Sequence, residues 1–207
     1  MDGMDLLDAV DAILGWDDEI DEIGGDEGGD LARLLDYAGS AYRVNDAGNG
    51  LEVRISRPVR DAVSRTVADA AGRSATGSAS DHLALAWQAA YGMHPDPVRA
   101  YSEAIKAVEC AAHAVVQPNH AKATLGTMLG ELSGGARVKF TTALATPAGK
   151  DPILPVEAMM RALWDGQTSR HGKQTATVPE TLEASRAAIH IAATLVQWFA
   201  SGAIART

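Results

Sequence analysis

The chain has 207 residues, 46% of them hydrophobic, which is enough apolar surface for a sizeable core and too much for disorder throughout. A single cysteine, Cys110, excludes an intrachain disulfide framework and, with its Ala-rich flanks, reads as a small core residue in a reducing compartment. The net charge of -9 is uneven: residues 1–36 carry 13 acidic residues against Arg33, a net of -12, which leaves +3 for the rest, so the leader repels phosphates while the body can accept RNA.

The opening Met-Asp-Gly-Met-Asp has no basic n-region, which predicts no secretory signal and makes the cytoplasm the expected compartment. Leu6, Leu7, Val10, Ile13 and Leu14 recur at helical spacing before Gly15, so a short amphipathic helix is expected over 5–14. Acidic residues mixed with Gly24-Gly25 and Gly28-Gly29 predict a linker, and Leu31, Leu34, Leu35 and Ala38 resume a helix closed by Gly39. Tyr42-Arg43-Val44 and Leu51 to Ile55 alternate around Asn45 to Gly50, a hairpin signal, and a lone hairpin needs a helix to pack on. The nearest one begins at Ser56, with Pro58 in its first turn and Val59, Val63 and Val67 following, and ends near Gly72.

Arg73 to Ser80 is small, polar and aperiodic, which predicts a linker. A helix over 81–91 stops at Gly92; the next is capped by Asp96, opened by Pro97, striped by Val98, Tyr101, Ile105, Val108, Ala112 and Val115, and ended by Pro118. Leu125, Met128, Leu129 and Leu132 mark another over 123–132, followed by a weaker helix through Val138 and Leu144, then one with Val156, Met159, Met160 and Leu163. Thr177-Val-Pro-Glu180 has the spacing of a capping box for a last helix with Leu182, Ile189, Ala192, Val196 and Phe199. The expected fold is mainly α, a helical bundle with N-terminal helices and a small β-hairpin appendage. It divides into an acidic helical leader with a Gly-rich linker (1–39), a hairpin plus helix (40–73), a linker (74–80) and the bundle (81–207). The segment 187–199, broken by His190, Thr194 and Gln197, is too short to span a bilayer, so no membrane association is expected.

There is no G-x-x-x-x-G-K-[ST] loop, no third glycine after Gly48 and Gly50, no G-x-S-x-G, no H-E-x-x-H and no paired cysteines. No nucleotide or dinucleotide cofactor and no metal is therefore expected.

Three ordered segments, Asp81-His-Leu-Ala-Leu-Ala-Trp-Gln-Ala-Ala-Tyr-Gly92, Asp96-Pro-Val-Arg-Ala-Tyr-Ser-Glu-Ala-Ile-Lys-Ala-Val-Glu109 and Lys122-Ala-Thr-Leu-Gly126, resemble bacterial abortive-infection proteins, whose C-terminal unit belongs to the HEPN helical superfamily. The resemblance continues through Leu163-Trp-Asp-Gly-Gln-Thr-Ser-Arg-His-Gly172 and Ala193-Thr-Leu-Val-Gln-Trp-Phe199, and covers roughly 40–202, including Tyr42-Arg-Val-Asn. It implies a HEPN-like bundle that homodimerises, acts in antiviral defence, takes RNA or a protein of a defence system as partner and, in active members, is a metal-independent endoribonuclease. The chemistry would be attack of a ribose 2′-hydroxyl on the adjacent phosphate, with a His moving the proton and an Arg fork stabilising the phosphoryl oxygens.

Active members carry Arg, four to six residues, then His; here His171-Gly172 fits the second half, while positions 164 to 166 hold Trp164, Asp165 and Gly166. Arg170 beside His171 is the candidate catalytic pair, and Asp165, Arg161 and Lys122 are candidate orienting or phosphate-contacting residues. The alternative for Arg170-His171-Gly172 is a polar loop leaving a helix. Glu103, Lys106 and Glu109 read as a solvated ion-pair face, Thr124 as a cap, Trp87, Trp164 and Trp198 as core, and His113 as a packed histidine. Two functions follow: an RNA-cleaving or RNA-binding defence effector, and, because the arginine is displaced, a non-catalytic homodimeric module that binds a partner protein or nucleotide.

Overall fold

The structure is a computed structural model that describes residues 3–16, 27–170 and 176–207. Among them are eight α-helices and two small antiparallel sheets of two strands each, a mainly α fold with a minor β component. The chain forms two compact units, one of residues 1–57 and 91–95, the other of 58–90 and 96–207. No helix among the described residues is long and apolar enough to cross a membrane.

The first unit holds α1 (Gly3–Gly15), α2 (Glu27–Tyr37) and a hairpin of β1 (Tyr42–Val44) and β2 (Leu51–Val53), paired Tyr42 to Val53 and Val44 to Leu51. Gly48, at φ 77°, supplies the left-handed step of the connecting turn, which closes with the Asn45 amide donating to the Gly50 carbonyl at 2.9 Å. The hairpin does need a helical partner. Within this unit, Leu35 of α2, Leu51 of β2 and Met93 form a buried cluster against which Leu7, Val10, Leu14, Leu31, Tyr42 and Val44 pack. Helices α1 and α2 therefore serve, where the sequence pointed to the helix after Ser56; that helix, α3 (Arg57–Ala71), groups with the bundle from Pro58 onward. Helix α2 begins at Glu27, four residues earlier than the apolar pattern suggests.

The second unit is built on α5 (Pro97–Val116) and α8 (Leu182–Ser201). The buried face of α5 is small, with Ala100, Ala104, Ala107, Ala111 and Ala112, and α8 answers with Ala188, Ala192, Ala193 and Ala200. Side chains this short let two helix backbones approach closely, and Ile105, Val108, Ile189, Leu195 and Val196 fill what remains. The C-terminal ends lie together, since Arg206, just past α8, donates from Nη1 to the Val116 carbonyl at 3.3 Å. Asp96 caps α5 by accepting from the Arg99 amide at 3.0 Å, as its position before Pro97 predicts. Helix α6 (Leu125–Leu132) packs on α5 and on α7 (Leu154–Gly166), and α7 packs on α8.

Three expectations change in this unit. Residues 74–80 are not a linker: they form a 3-10 turn over Ser74–Thr76 and the start of α4 (Ala79–Tyr91), with Thr76, Ala79 and Ser80 buried and the Thr76 hydroxyl donating to the Ala70 and Arg73 carbonyls. A run of small residues looks aperiodic in sequence but fits a crowded place against α5 and α8. The weak helix expected through Val138 and Leu144 is a 3-10 turn over Gly135–Lys139 leading into β3 (Phe140–Thr142), which pairs with β4 (Ile204–Arg206) at the end of the chain. The last helix is capped by Thr181, whose hydroxyl accepts from the Ala184 amide at 3.1 Å, and not by Thr177.

Ile204 is 0% exposed and anchors the β4 end of this sheet, whereas Val138 is 82% exposed. Ile204→Ala is expected to cost about 2–5 kcal/mol and Val138→Ala to stay within about 0.5 kcal/mol, as read by chemical denaturation. Equal effects at the two positions would contradict the strand assignment.

Candidate functional site

Helix α5, whose buried residues include five alanines, also carries Glu103, Lys106 and Glu109. The sequence suggested a solvated row of ion pairs; instead Glu103 is only 8% exposed. One of its carboxylate oxygens accepts from Lys106 Nζ at 2.7 Å, and the other lies 2.6 Å from Nδ1 of His82, which reaches across from α4. Burial pushes the Glu103 carboxyl up, but the hydrogen bonds from Lys106 and His82, with their charges, outweigh it and hold the group below its ordinary value of 4.5. An ionised carboxylate can only accept, so His82 donates from Nδ1 and, when neutral, keeps its Nε2 lone pair.

One turn and a half further along α5, Glu109 accepts from the Leu125 amide at 2.6 Å. Leu125 is the first residue of α6, whose early amides have no partner inside the helix. Glu109 therefore supplies the negative charge that a helix N-terminus favours. Burial raises its carboxyl, opposed by the bond from Leu125 and by the charges of Lys106, His82 and Arg170. The opposing charges come from three parts of the chain, α5, α4 and the residues after α7. Thr124 completes the N-terminus: its hydroxyl accepts from the Thr127 amide while the Thr127 hydroxyl accepts from the Thr124 amide.

Gly126, the next residue of α6, lies against the Trp164 indole; a Cβ there would fall 2.5 Å from Cη2. Trp164 is half-buried, not core, and its ring carries the guanidinium of Arg170, 3.3 Å from the ring centroid, while Arg170 Nη1 donates to the Trp164 carbonyl at 3.0 Å. Gly166, where α7 ends, leaves room for the Tyr101 hydroxyl, which donates to the Ala162 carbonyl at 3.4 Å. Burial raises the Tyr101 phenol, and the charges of Glu180 and Asp165 add to the effect. Ser169 donates from both its amide and its hydroxyl to the buried Glu180, and the Thr168 hydroxyl donates to the Val178 carbonyl at 2.6 Å. Glu180 thus ties residue 169 to the entry of α8, a role the capping-box reading had missed.

Of the residues singled out in sequence, Arg170 belongs to this cluster. His171 and Gly172 lie outside the described residues. Asp165 is exposed and forms no ion pair with Arg170, whose guanidinium is held by Trp164. Arg161 is elsewhere: it donates to Glu157 at 2.8 Å, in a network where Arg137 also reaches Glu157 and pairs with Asp151 at 2.8 Å. Lys122 is exposed ahead of α6, and the amide an anion would seek there is taken by Glu109. Trp87 is half-buried with its ring edge-on to His190, whose imidazole is lowered by burial, and His113 lies 3.1 Å from the His120 carbonyl. Cys110 is only partly buried, beside the Ser78 hydroxyl. Sequence reasoning missed His82, Glu103 and Glu109 as a unit, although Glu103 stands between Ala100, Ala104 and Ala107, an apolar context that a solvated carboxylate seldom has.

Two predictions follow from this packing. Gly130, also inside α6, has open space around it, so Gly130→Ala is expected to stabilise by up to about 1 kcal/mol, whereas Gly126→Ala, forced against the indole, is expected to destabilise by about 1–3 kcal/mol and alter tryptophan emission. Thermal unfolding with fluorescence detection separates the two. Because the Glu103 carboxyl is lowered, its stabilising contribution is fully present above about pH 4.5 and fades as pH falls through the lower folded value. Glu103→Gln is therefore expected to be less stable than wild type at pH 7, with the gap narrowing on acidification; a gap independent of pH in urea unfolding contradicts the ionised pair.

The chain matches no protein-family model, no curated protein and no solved structure.

Proposed function

We propose that the protein is a cytoplasmic HEPN-like protein of the abortive-infection type, an RNA-binding or metal-independent RNA-cleaving effector that works as a homodimer through the Arg170-His171 segment. One observation carries this reading. Four of the segments on which the resemblance rests meet through specific contacts: His82 with Glu103, Glu109 with Leu125, Gly126 with Trp164, and Trp164 with Arg170. Segments that share no sequence neighbourhood but build one polar cluster are organised as a site is, and the cluster contains the residue types that transesterification of RNA requires. In the proposed chemistry a histidine accepts the 2′-hydroxyl proton and guanidinium and ammonium groups stabilise the charge on phosphorus-bound oxygens. The net charge of +3 over residues 37–207 suits a polyanion.

The second reading, a non-catalytic homodimeric module for a partner protein or nucleotide, is favoured by Trp164, Asp165 and Gly166 at the positions of the family's arginine and by the engagement of Arg170 with Trp164. Incubating the full chain with labelled single-stranded RNA, with and without chelator, separates them. Cleavage that survives chelator and falls about 100-fold or more in His171→Ala is expected. Intact RNA with the wild-type chain sinks the nuclease reading and leaves the interaction module.

A further inference from the structure

We infer that the outward face of α1 is a docking surface for a basic amphipathic helix of a partner protein, seated along Leu6, Ala9, Ile13 and Trp16. This is independent of whether the bundle binds or cuts RNA. Helix α1 is apolar on two sides. Leu7, Val10 and Leu14 pack on the cluster of Leu35, Leu51 and Met93, and the Asp11 carboxylate accepts from the Leu51 amide at 2.5 Å, so this side holds the helix in place. Leu6, Ala9, Ile13 and Trp16 form a second stripe, offset by one residue and so about 100° away around the helix. All four are exposed, Leu6 at 56%, Ile13 at 68% and Trp16 at 85%. Their 3-4-3 spacing is that of a helix–helix seam, an order that singly scattered surface residues lack. Trp16, just past the helix, donates its amide to the Ile13 carbonyl at 3.1 Å, and in a turn closed over three residues the two side chains stand one above the other. The stripe thus runs to the end of α1, about 20 Å for its 13 residues, which a partner helix of about four turns covers.

Charge selects the occupant. Asp5, Asp8 and Asp11 take up the remaining sector of α1, and the first 32 residues hold no Lys, Arg or His. Asp5 is exposed, and Asp8 stays half-exposed at 3.7 Å from His94 Nε2. A second copy of α1 would set these carboxylates against their own kind, and a phosphate-rich surface, whether RNA or an anionic bilayer, would meet the same repulsion. A helix with large apolar residues along its seam and Lys or Arg on its flanks answers both features: its seam covers the stripe, and its cations lie along Asp5 and Asp8.

The test uses the full chain and fluorescently labelled helical peptides of about three heptads. The first has Leu along its seam and Lys on its flanks; the second replaces Lys by Glu, and the third replaces Leu by Ser. Fluorescence anisotropy is expected to show the Lys/Leu peptide binding one to one and the other two at least about 10-fold more weakly. Ile13→Ser and Trp16→Ser are each expected to weaken that binding about 10-fold or more, with circular dichroism and the unfolding midpoint unchanged because both side chains are exposed. Val138→Ser, at a comparably exposed position of the bundle, is expected to leave binding intact. Failure of the Lys/Leu peptide to bind overturns the proposal, as does equal binding of the Lys/Ser peptide or full binding by both stripe variants. Equal or tighter binding of the Glu/Leu peptide overturns the charge assignment. Self-association in sedimentation, or binding to vesicles of anionic lipid, that is lost in Ile13→Ser gives the face to a second copy or to a membrane and overturns the partner helix.

Discussion

Helices α5 and α8 form the most extensive helix contact of the bundle, with alanine prominent among their buried residues, and the polar groups of α5 have to be accommodated around that contact. A helix committed along one face to a small-residue seam has only its flanks left to offer other elements. Away from that contact α5 carries Glu103, which meets His82 of α4, and Glu109, which meets the first amide of α6. Carboxylates are costly to enclose, so each must find donors at once. Glu103 finds them in His82 and Lys106, and Glu109 in the first amide of α6. The polar cluster thus doubles as the means by which α4 and α6 are registered on α5.

The layer beyond α6 is set by a missing side chain. Gly126 admits the Trp164 indole, and the indole in turn presents a face on which the Arg170 guanidinium lies flat. Arginine suits that place better than lysine would, since a planar, weakly hydrated cation stacks on an aromatic ring and still donates in its own plane, here to the Trp164 carbonyl. Ser169, bound to Glu180, fixes the residue before it. Residues 169 and 170 are therefore held by contacts on both α7 and the entry to α8.

The cluster is electrostatically mixed rather than simply basic. Glu103 is held ionised, while burial favours the neutral form of Glu109 and the charges of Lys106, His82 and Arg170 pull it back. Two carboxyl groups on one helix, six residues apart, are thereby placed in different electrostatic surroundings, an arrangement that lets neighbouring groups serve different proton-transfer roles. The network of Arg137, Asp151, Glu157 and Arg161 contrasts with it: each charge there is answered within the network, and it joins the turn after α6 to α7.

What the amino-acid sequence determined by itself was a set of features that depend on neighbours a few residues away. Asp96 with Pro97, Thr124, the Asn45–Gly50 turn and the apolar spacing of α5, α6, α7 and α8 are read correctly because caps, turns and helical periodicity act within one or two turns of chain. Arg170 was legible as a candidate through its motif, and its stack on Trp164 was not. Only the tertiary structure decided that Phe140–Thr142 is a strand, since its partner lies at Ile204–Arg206 and no local signal reports a pairing across that separation. For the same reason Glu103 looked like a solvated ion-pair residue until His82 appeared beside it, and Asp165 and Arg161 stood as candidate orienting or phosphate-contacting residues, whereas in the fold Arg170 is held by Trp164 and Arg161 by Glu157. Charge and helical spacing state what a side chain can bind; which partner reaches it depends on how distant segments pack, and that is set by the fit of Ala, Gly and Trp surfaces that no short stretch of sequence contains.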